Sequence, residues 1–324
     1  MEDSRRPTVL FIKWVAMLVV VALSYTGLLY YIVINGKDNY LAATFNKMKL
    51  LENTLSPKMV LVGGSNIAFG LDSTKTRQAF GLPVVNMGLH SGLGLKFMLD
   101  QVKPYINKND IVVIVPEYSQ YVGDSFYGDE ALLEVVMITK DWSALGYIPA
   151  LKIPNIALRL NRIIFSYYNE HVNSDSIYSR NSFNSDGDLT AHLALPNVKF
   201  SIDYKALPAD INQKAIRYLY NFIATNADHG ITTLILYPCL ARSYYHRQAA
   251  TIAKIAGAFS NNGIHVLSSA QDFVYDDDLF FNTHYHLNAQ GRSLHTEKTI
   301  QALKVALMDR TLAPTSTSAQ NLNK

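Results

Sequence analysis

Ser65 and His286 are the residues whose types and settings could do chemistry. Ser65 lies in Lys58 to Ser73, KMVLVGGSNIAFGLDS, where an apolar run stops abruptly at a Gly-Gly-Ser-Asn turn. Met59 to Val62 reads as a short buried strand. Gly63 and Gly64 allow a sharp turn and close approach, and Ile67 to Leu71 can begin a helix. A serine so placed stands at a helix N-terminus beyond the carboxyl end of a strand, where backbone N–H groups favour developing negative charge. It is a nucleophile or an N-cap, because serine is also a preferred capping residue. His286 comes late, in FFNTHYHLNAQGR, ahead of a helical pattern. A hydroxyl, an imidazole beside it and backbone donors for an oxyanion are what acyl transfer requires.

These residues need a scaffold that brings distant segments together. Four apolar runs follow the first strand: Pro83 to Asn86, Asp110 to Pro116, Ile231 to Pro238 and Ile264 to Ser268. Helical patterns over Leu95 to Val102, Ile211 to Ala227, Arg247 to Asn261 and Ala289 to Met308 alternate with or follow them. Such alternation implies βαβ units and a parallel sheet covered on both faces, hence an α/β three-layer sandwich with five parallel strands in a flavodoxin-like arrangement. Open sheets of this kind bind ligands outside the carboxyl ends of their strands. Reading only those ends collects Ser65 and Asn66, then Gly88 and His90, then Glu117 and Tyr118, then Cys239, and last Asp276 to Arg292 with His284 and His286. Asn66, His90, Glu117, Tyr118 and His284 are thus the candidates for holding substrate. Glu117 also has a structural reading, as a carboxylate accepting N–H groups from neighbouring loops.

With 49% hydrophobic and 17% charged residues among 324, the chain can bury a large core. A formal net charge of +3 without a clustered basic face does not favour nucleic acid as a partner. A single cysteine excludes an intramolecular disulfide, and no Cys/His spacing suggests structural zinc. From Trp14 to Asn35 the chain is uncharged, and about 20 helical residues rise roughly 30 Å, enough to cross a hydrocarbon core. The run is long for a signal peptide and lacks a clear small-x-small cleavage site, so a retained anchor is expected. Arg5, Arg6 and Lys13 precede it, which leaves the N-terminus in the cytoplasm and the rest outside, in the periplasm if the cell is bacterial. The expected organisation is a cytoplasmic N-terminus over 1–13, an anchor over 14–35 and a helical stalk over 36–57. The catalytic-type domain follows over 58–310, and a disordered tail over 311–324. Residues 119–205 interrupt the strand and helix rhythm. Leu132 to Ile138 and Ile153 to Phe165 look helical, and Asn173 to Asp188 is polar and rich in turn residues. An insertion after the third strand would lie over the rim of Ser65, as a lid or recognition region or as a passive excursion.

Ser65 after the first strand, Gly88 after the second and His286 in a late loop before a C-terminal helix resemble the SGNH/GDSL hydrolase superfamily, in its membrane-anchored branch. The resemblance covers roughly 58–118 and 231–308, with GGSN in place of Gly-Asp-Ser. It implies that Ser65 is the nucleophile, that His286 is the general base and that the N–H groups of Ser65 and Gly88 form the oxyanion hole. His284 competes for the role of base; His286 is preferred because Asn288, two residues on, can cap the final helix and fix the spacing. The positions where the family carries its acid hold Thr283 or Asn282 here. The third member is therefore Asp278, the nearest upstream carboxylate, or Asn282 acting as an uncharged orienting group. The family's Gly-x-Asn-Asp after the third strand is replaced by Pro116-Glu117-Tyr118.

The resemblance implies a membrane-anchored serine esterase or acyltransferase acting on O-acyl groups, acetyl foremost, of an envelope or exported polysaccharide. No metal or organic cofactor is needed. A transferase would also require a multi-span membrane partner to supply the acyl group. Two alternatives stand beside this: a catalytically impaired glycan-binding or scaffold protein of a polysaccharide assembly system, and a lipid esterase. The 20 tyrosines and 14 phenylalanines, several near the insertion, suit glycan stacking as well as ordinary cores.

Overall fold

The computed structural model describes residues 5–35, 39–152, 177–198 and 206–312. The helix expected over 153–165, part of the aromatic-bearing insertion around it, and the tail beyond 312 lie outside these residues. Four strands form one parallel sheet: β1 (Met59–Gly63), β2 (Val84–Asn86), β3 (Ile111–Val115) and β4 (Thr232–Ile235), in the order β2-β1-β3-β4. Met59 pairs with Val84 on one side and Ile111 on the other, and Ile111 pairs with Thr232, so the strands start level. Every residue of β1, β2 and β3 is buried, as runs of Val, Ile and Leu without a polar face require. The starting edge is pinned by a buried ion pair, Lys58 Nζ to Asp110 at 3.2 Å, while Asp110 also accepts the Lys58 N–H.

A fifth strand does not form in the sheet. Ile264 to Ser268 contributes one bridge, Val266 to Ile235, with the Leu267 N–H donating to the Ile235 carbonyl. Gly263 turns the chain with φ +68°, and Ser269 starts a capped 3-10 turn with Asp272. The chain bends at Leu267 and Ser268, directly after the bridge, and so leaves the ladder. A separate two-stranded parallel ribbon joins β5 (Leu240–Ala241) to β6 (Val274–Tyr275).

Helices flank the sheet. In chain order they are α1 (Arg5–Asn35), α2 (Ala43–Asn53), α3 (Ser65–Gly70), α4 (Ser73–Phe80), α5 (Leu95–Val102), α6 (Glu130–Thr139), α7 (Gln213–Asp228), α8 (Arg242–Asn261) and α9 (Ala289–Leu312). Within α1, Thr8–Leu28 is long and apolar enough to span a membrane, with mean hydropathy 2.1 over its best window and no burial inside the molecule. Residues 40–53 are not a free stalk. Leu41, Ala43 and Leu51 are buried, the Tyr40 hydroxyl donates to the Leu89 carbonyl at 2.6 Å, and Lys47 Nζ donates to the Asn86 and Gly187 carbonyls.

Candidate active site

Gly63, Asn86, Val115 and Ile235 end the four strands on one rim, and the candidate site is assembled there. Gly64 is the N-cap of α3 and Ser65 its first residue. A Cβ on Gly64 would lie 2.7 Å from Glu117 Oε1, so only glycine lets the turn approach that carboxyl. The Asn66 side chain fastens the same turn, accepting the Gly64 N–H at 3.1 Å and donating to the Val115 carbonyl at 2.8 Å. Asn66 is buried and committed to this task, so it is not a substrate ligand.

The Ser65 side chain caps nothing. Its Oγ lies 2.8 Å from His286 Nε2 and 3.1 Å from Glu117 Oε1. His286 reaches it from 221 residues away on a tightly held loop. Phe280 and Leu287 form an antiparallel bridge, the Phe281 N–H donates to the His286 carbonyl at 2.7 Å, and Thr283 Oγ1 accepts the N–H groups of Tyr285 and His286. Asn288 then caps α9, its Oδ1 accepting the Gly291 N–H at 2.9 Å. The imidazole plane is set by Phe69, stacked on it at 3.9 Å and 5°. Phe69 is four residues after Ser65, so one helical turn presents both to the ring.

On the far side of the ring, His286 Nδ1 lies 2.9 Å from Asn282 Oδ1 and 3.3 Å from the Tyr178 hydroxyl. Asn282 Nδ2 in turn donates to that hydroxyl at 2.9 Å. The third member of the constellation is thus an amide. Asp278 does not meet the imidazole: its side chain is exposed, and its backbone carbonyl accepts from Asn197 and Asn288. Asp276 and Asp277 are engaged elsewhere, by Arg242 and the Ser243 N–H.

Burial drives the electrostatics. It pushes the His286 pKa well below its usual 6.5, helped by His192, His284 and His90, so the ring is neutral at pH 7 and has a lone pair for a proton. Burial raises the Glu117 carboxyl, against the lowering effects of His90, the Ser91 and Ser65 hydroxyls and the Asn66 N–H. Nearby, His284 stacks on Tyr244 at 3.8 Å and is lowered by burial to about 3.

A cavity of about 310 Å³ opens over Ser65, lined by Tyr40, His90, Glu117, Tyr178, His284 and His286 among others. Tyr118 and Gly88, like Asn66 and Asp278, fall outside their expected roles. Tyr118 is wholly buried, packs against Tyr237 and donates its N–H to the Tyr285 hydroxyl. The Gly88 N–H donates to Asn86 Oδ1 at 2.9 Å, so it is not offered to an oxyanion. Gly88 serves packing instead, since a Cβ there would lie 2.8 Å from the Ala68 nitrogen in α3. The Ser65 N–H remains as the first of its helix, where no intrahelical acceptor exists.

Tyr178 and Tyr40 at this site were not legible as such. Tyr178 comes from the insertion and Tyr40 from the segment read as a stalk, and neither carries a local motif. Phe69 did carry a signal in its spacing from Ser65. No family model matches the chain, and no curated protein matches it.

Chemically, the arrangement can move one proton. Nε2 accepts the Ser65 hydrogen as Oγ attacks a carbonyl carbon, then returns it to the departing group, with Asn282 holding the ring. An amide orients imidazolium but stabilises it less than a carboxylate does.

Proposed function

We propose that the protein is a membrane-anchored SGNH-like serine esterase or O-acyltransferase that removes or transfers a small O-acyl group, acetyl foremost, on an envelope or exported polysaccharide. The observation that carries this reading is the 2.8 Å contact between Ser65 Oγ and His286 Nε2, in a cavity at the carboxyl ends of parallel strands. The strand order β2-β1-β3-β4, with Val266 bridged to β4, supports a flavodoxin-like plan whose fifth position is occupied by a near-strand. Tyrosines around a cavity of about 310 Å³ suit a small acyl group on a sugar. Arg5, Arg6 and Lys13 ahead of the apolar span favour a single-pass topology with the domain outside the cytoplasm. A transferase would draw its acyl group from a multi-span membrane protein. One observation favours the scaffold alternative, a glycan-binding protein without turnover: the amide of Asn282 at Nδ1.

The test is turnover of p-nitrophenyl acetate, and acetate release from an O-acetylated polysaccharide, by the detergent-purified full chain. The esterase reading expects both, with loss in Ser65→Ala. Turnover that persists in Ser65→Ala, or is absent from the unmodified protein on both substrates, removes it.

A further inference from the structure

The Ser65 hydroxyl has one hydrogen and two close neighbours, His286 Nε2 at 2.8 Å and Glu117 Oε1 at 3.1 Å. The far side of the imidazole decides which neighbour receives it. Asn282 turns its amide nitrogen to the Tyr178 hydroxyl and its oxygen to His286 Nδ1. An amide oxygen only accepts, so Nδ1 carries the ring hydrogen and Nε2 presents a lone pair. Ser65 therefore donates to His286. Two oxygens, Oγ and Oε1, then face each other with no serine hydrogen left between them, and the contact needs a hydrogen from the carboxyl.

We propose that Glu117 is a neutral carboxylic acid that donates a hydrogen bond to Ser65 Oγ at neutral pH, and that the same hydrogen stabilises the oxyanion during acyl transfer. Only the second half rests on the esterase reading. Glu117 is 5% exposed, and burial raises its carboxyl even against the neighbouring His90, the Ser91 hydroxyl and the Asn66 N–H, which favour the ionised form. The titratable groups facing it are His90, Tyr40, Cys239 and Tyr285, with His286 beyond Ser65. Burial raises both tyrosines and the thiol, which keeps them neutral as well.

The site needs such a donor, because the Gly88 N–H is committed to Asn86. In the addition step, Oγ bonds to the acyl carbon, the hydroxyl proton passes to His286 Nε2 and the carbonyl π pair moves onto its oxygen. Oγ, now part of an ester linkage, becomes a poorer acceptor, and the Glu117 hydrogen is left for the adjacent negative oxygen. When the intermediate collapses, the bond to the leaving alcohol breaks and that oxygen takes the proton from Nε2. Glu117 keeps its proton throughout, acting as a donor and not as a base.

Infrared spectroscopy of the purified full chain at pH 7 tests the first half. The carbonyl stretch of a protonated carboxylic acid should be present and should disappear in Glu117→Gln. Its absence from the unmodified protein overturns the proposal, because Glu117 is then ionised and accepts from Ser65. Fluorophosphonate labelling as a function of pH tests the second half. Glu117→Gln keeps an N–H donor, so its rate should stay within several-fold of the original and lose the alkaline decline caused by ionisation of Glu117. Glu117→Leu should be slower by about 10² to 10³-fold, the usual loss on removing one oxyanion donor. A Gln variant as slow as the Leu variant overturns the donor role. An unmodified protein that shows the infrared band but is never labelled would defeat the esterase reading and leave the neutral carboxyl standing.

Discussion

Asn282 sets how strong a base His286 can be. It holds Nδ1 at 2.9 Å and so fixes the ring, but it brings no charge to offset imidazolium in a site where burial already disfavours the charged form. Replacing it with a carboxylate of nearly the same shape supplies that charge. Asn282→Asp should raise the rate of serine acylation by about 10-fold or more and move the acid limb of its pH profile upward, because an adjacent anion raises the imidazole pKa. Rates and limb unchanged from the original protein would mean that ring charging does not limit the step. The identity of this partner was only half legible from the chain. Asn282 and Asp278 both lie upstream of His286, and the bridge between Phe280 and Leu287 decides between them by folding the loop back after Asp278. A pairing of that kind leaves no trace in residue types. The role of Glu117 was obscured for a different reason, since its partner Ser65 lies 52 residues earlier and the contact depends on the backbone of Gly64.

At the scale of elements, the insertion is tied into the domain by a buried carboxylate. Asp188 accepts from the Ser73 N–H and hydroxyl, from Asn86 Nδ2 and from Arg292, and so links the insertion to α4, β2 and α9. Asn86 also holds the Gly88 N–H and, through it, the loop packed on α3. The Asp188–Arg292 pair is almost fully buried, with side chains 0% and 8% exposed. Removing one partner strands a charge away from water, so Asp188→Ala should destabilise the domain by about 3 to 5 kcal/mol in chemical denaturation. A loss below about 1 kcal/mol would show that Arg292 finds another partner or water. The strands that position Ser65 were readable because buried parallel strands are continuous apolar runs. The edge segment Ile264 to Ser268 carries His265 and Ser268 among its apolar residues and pairs at one residue, because the chain turns at Gly263 and bends again at Leu267 and Ser268. The packing of residues 40–53 is not readable from sequence for a related reason: a short helix with few apolar residues looks detached until Tyr40 and Lys47 find their acceptors across the domain.

For the whole molecule, the dominant titration is that of buried neutral histidines. Burial lowers His192 to about 4, His284 and His295 to about 3, and His286 well below its ordinary value. In each case the unfolded chain, near 6.5, binds a proton that the folded chain refuses. Stability is therefore full above about pH 6.5 and falls as the pH drops toward the folded values. Glu117 runs the other way, since its raised pKa makes the folded state the better proton binder, but it is one group against several. Thermal midpoints should decline steadily from pH 7 to pH 5. A midpoint that is flat or rises over that interval would contradict the neutral assignment of these rings. The apolar span of α1 was the most legible feature of all, because length and hydropathy are properties of composition and need no long-range contact.

The most direct measurement is intact-mass and peptide mapping of the full chain after exposure to a fluorophosphonate, alongside His286→Ala. A single adduct on Ser65 is expected, forming at least about 10²-fold more slowly when the imidazole is removed, the usual contribution of a positioned base. No adduct on the unmodified protein, an adduct on another serine, or equal rates with and without His286 would contradict that expectation.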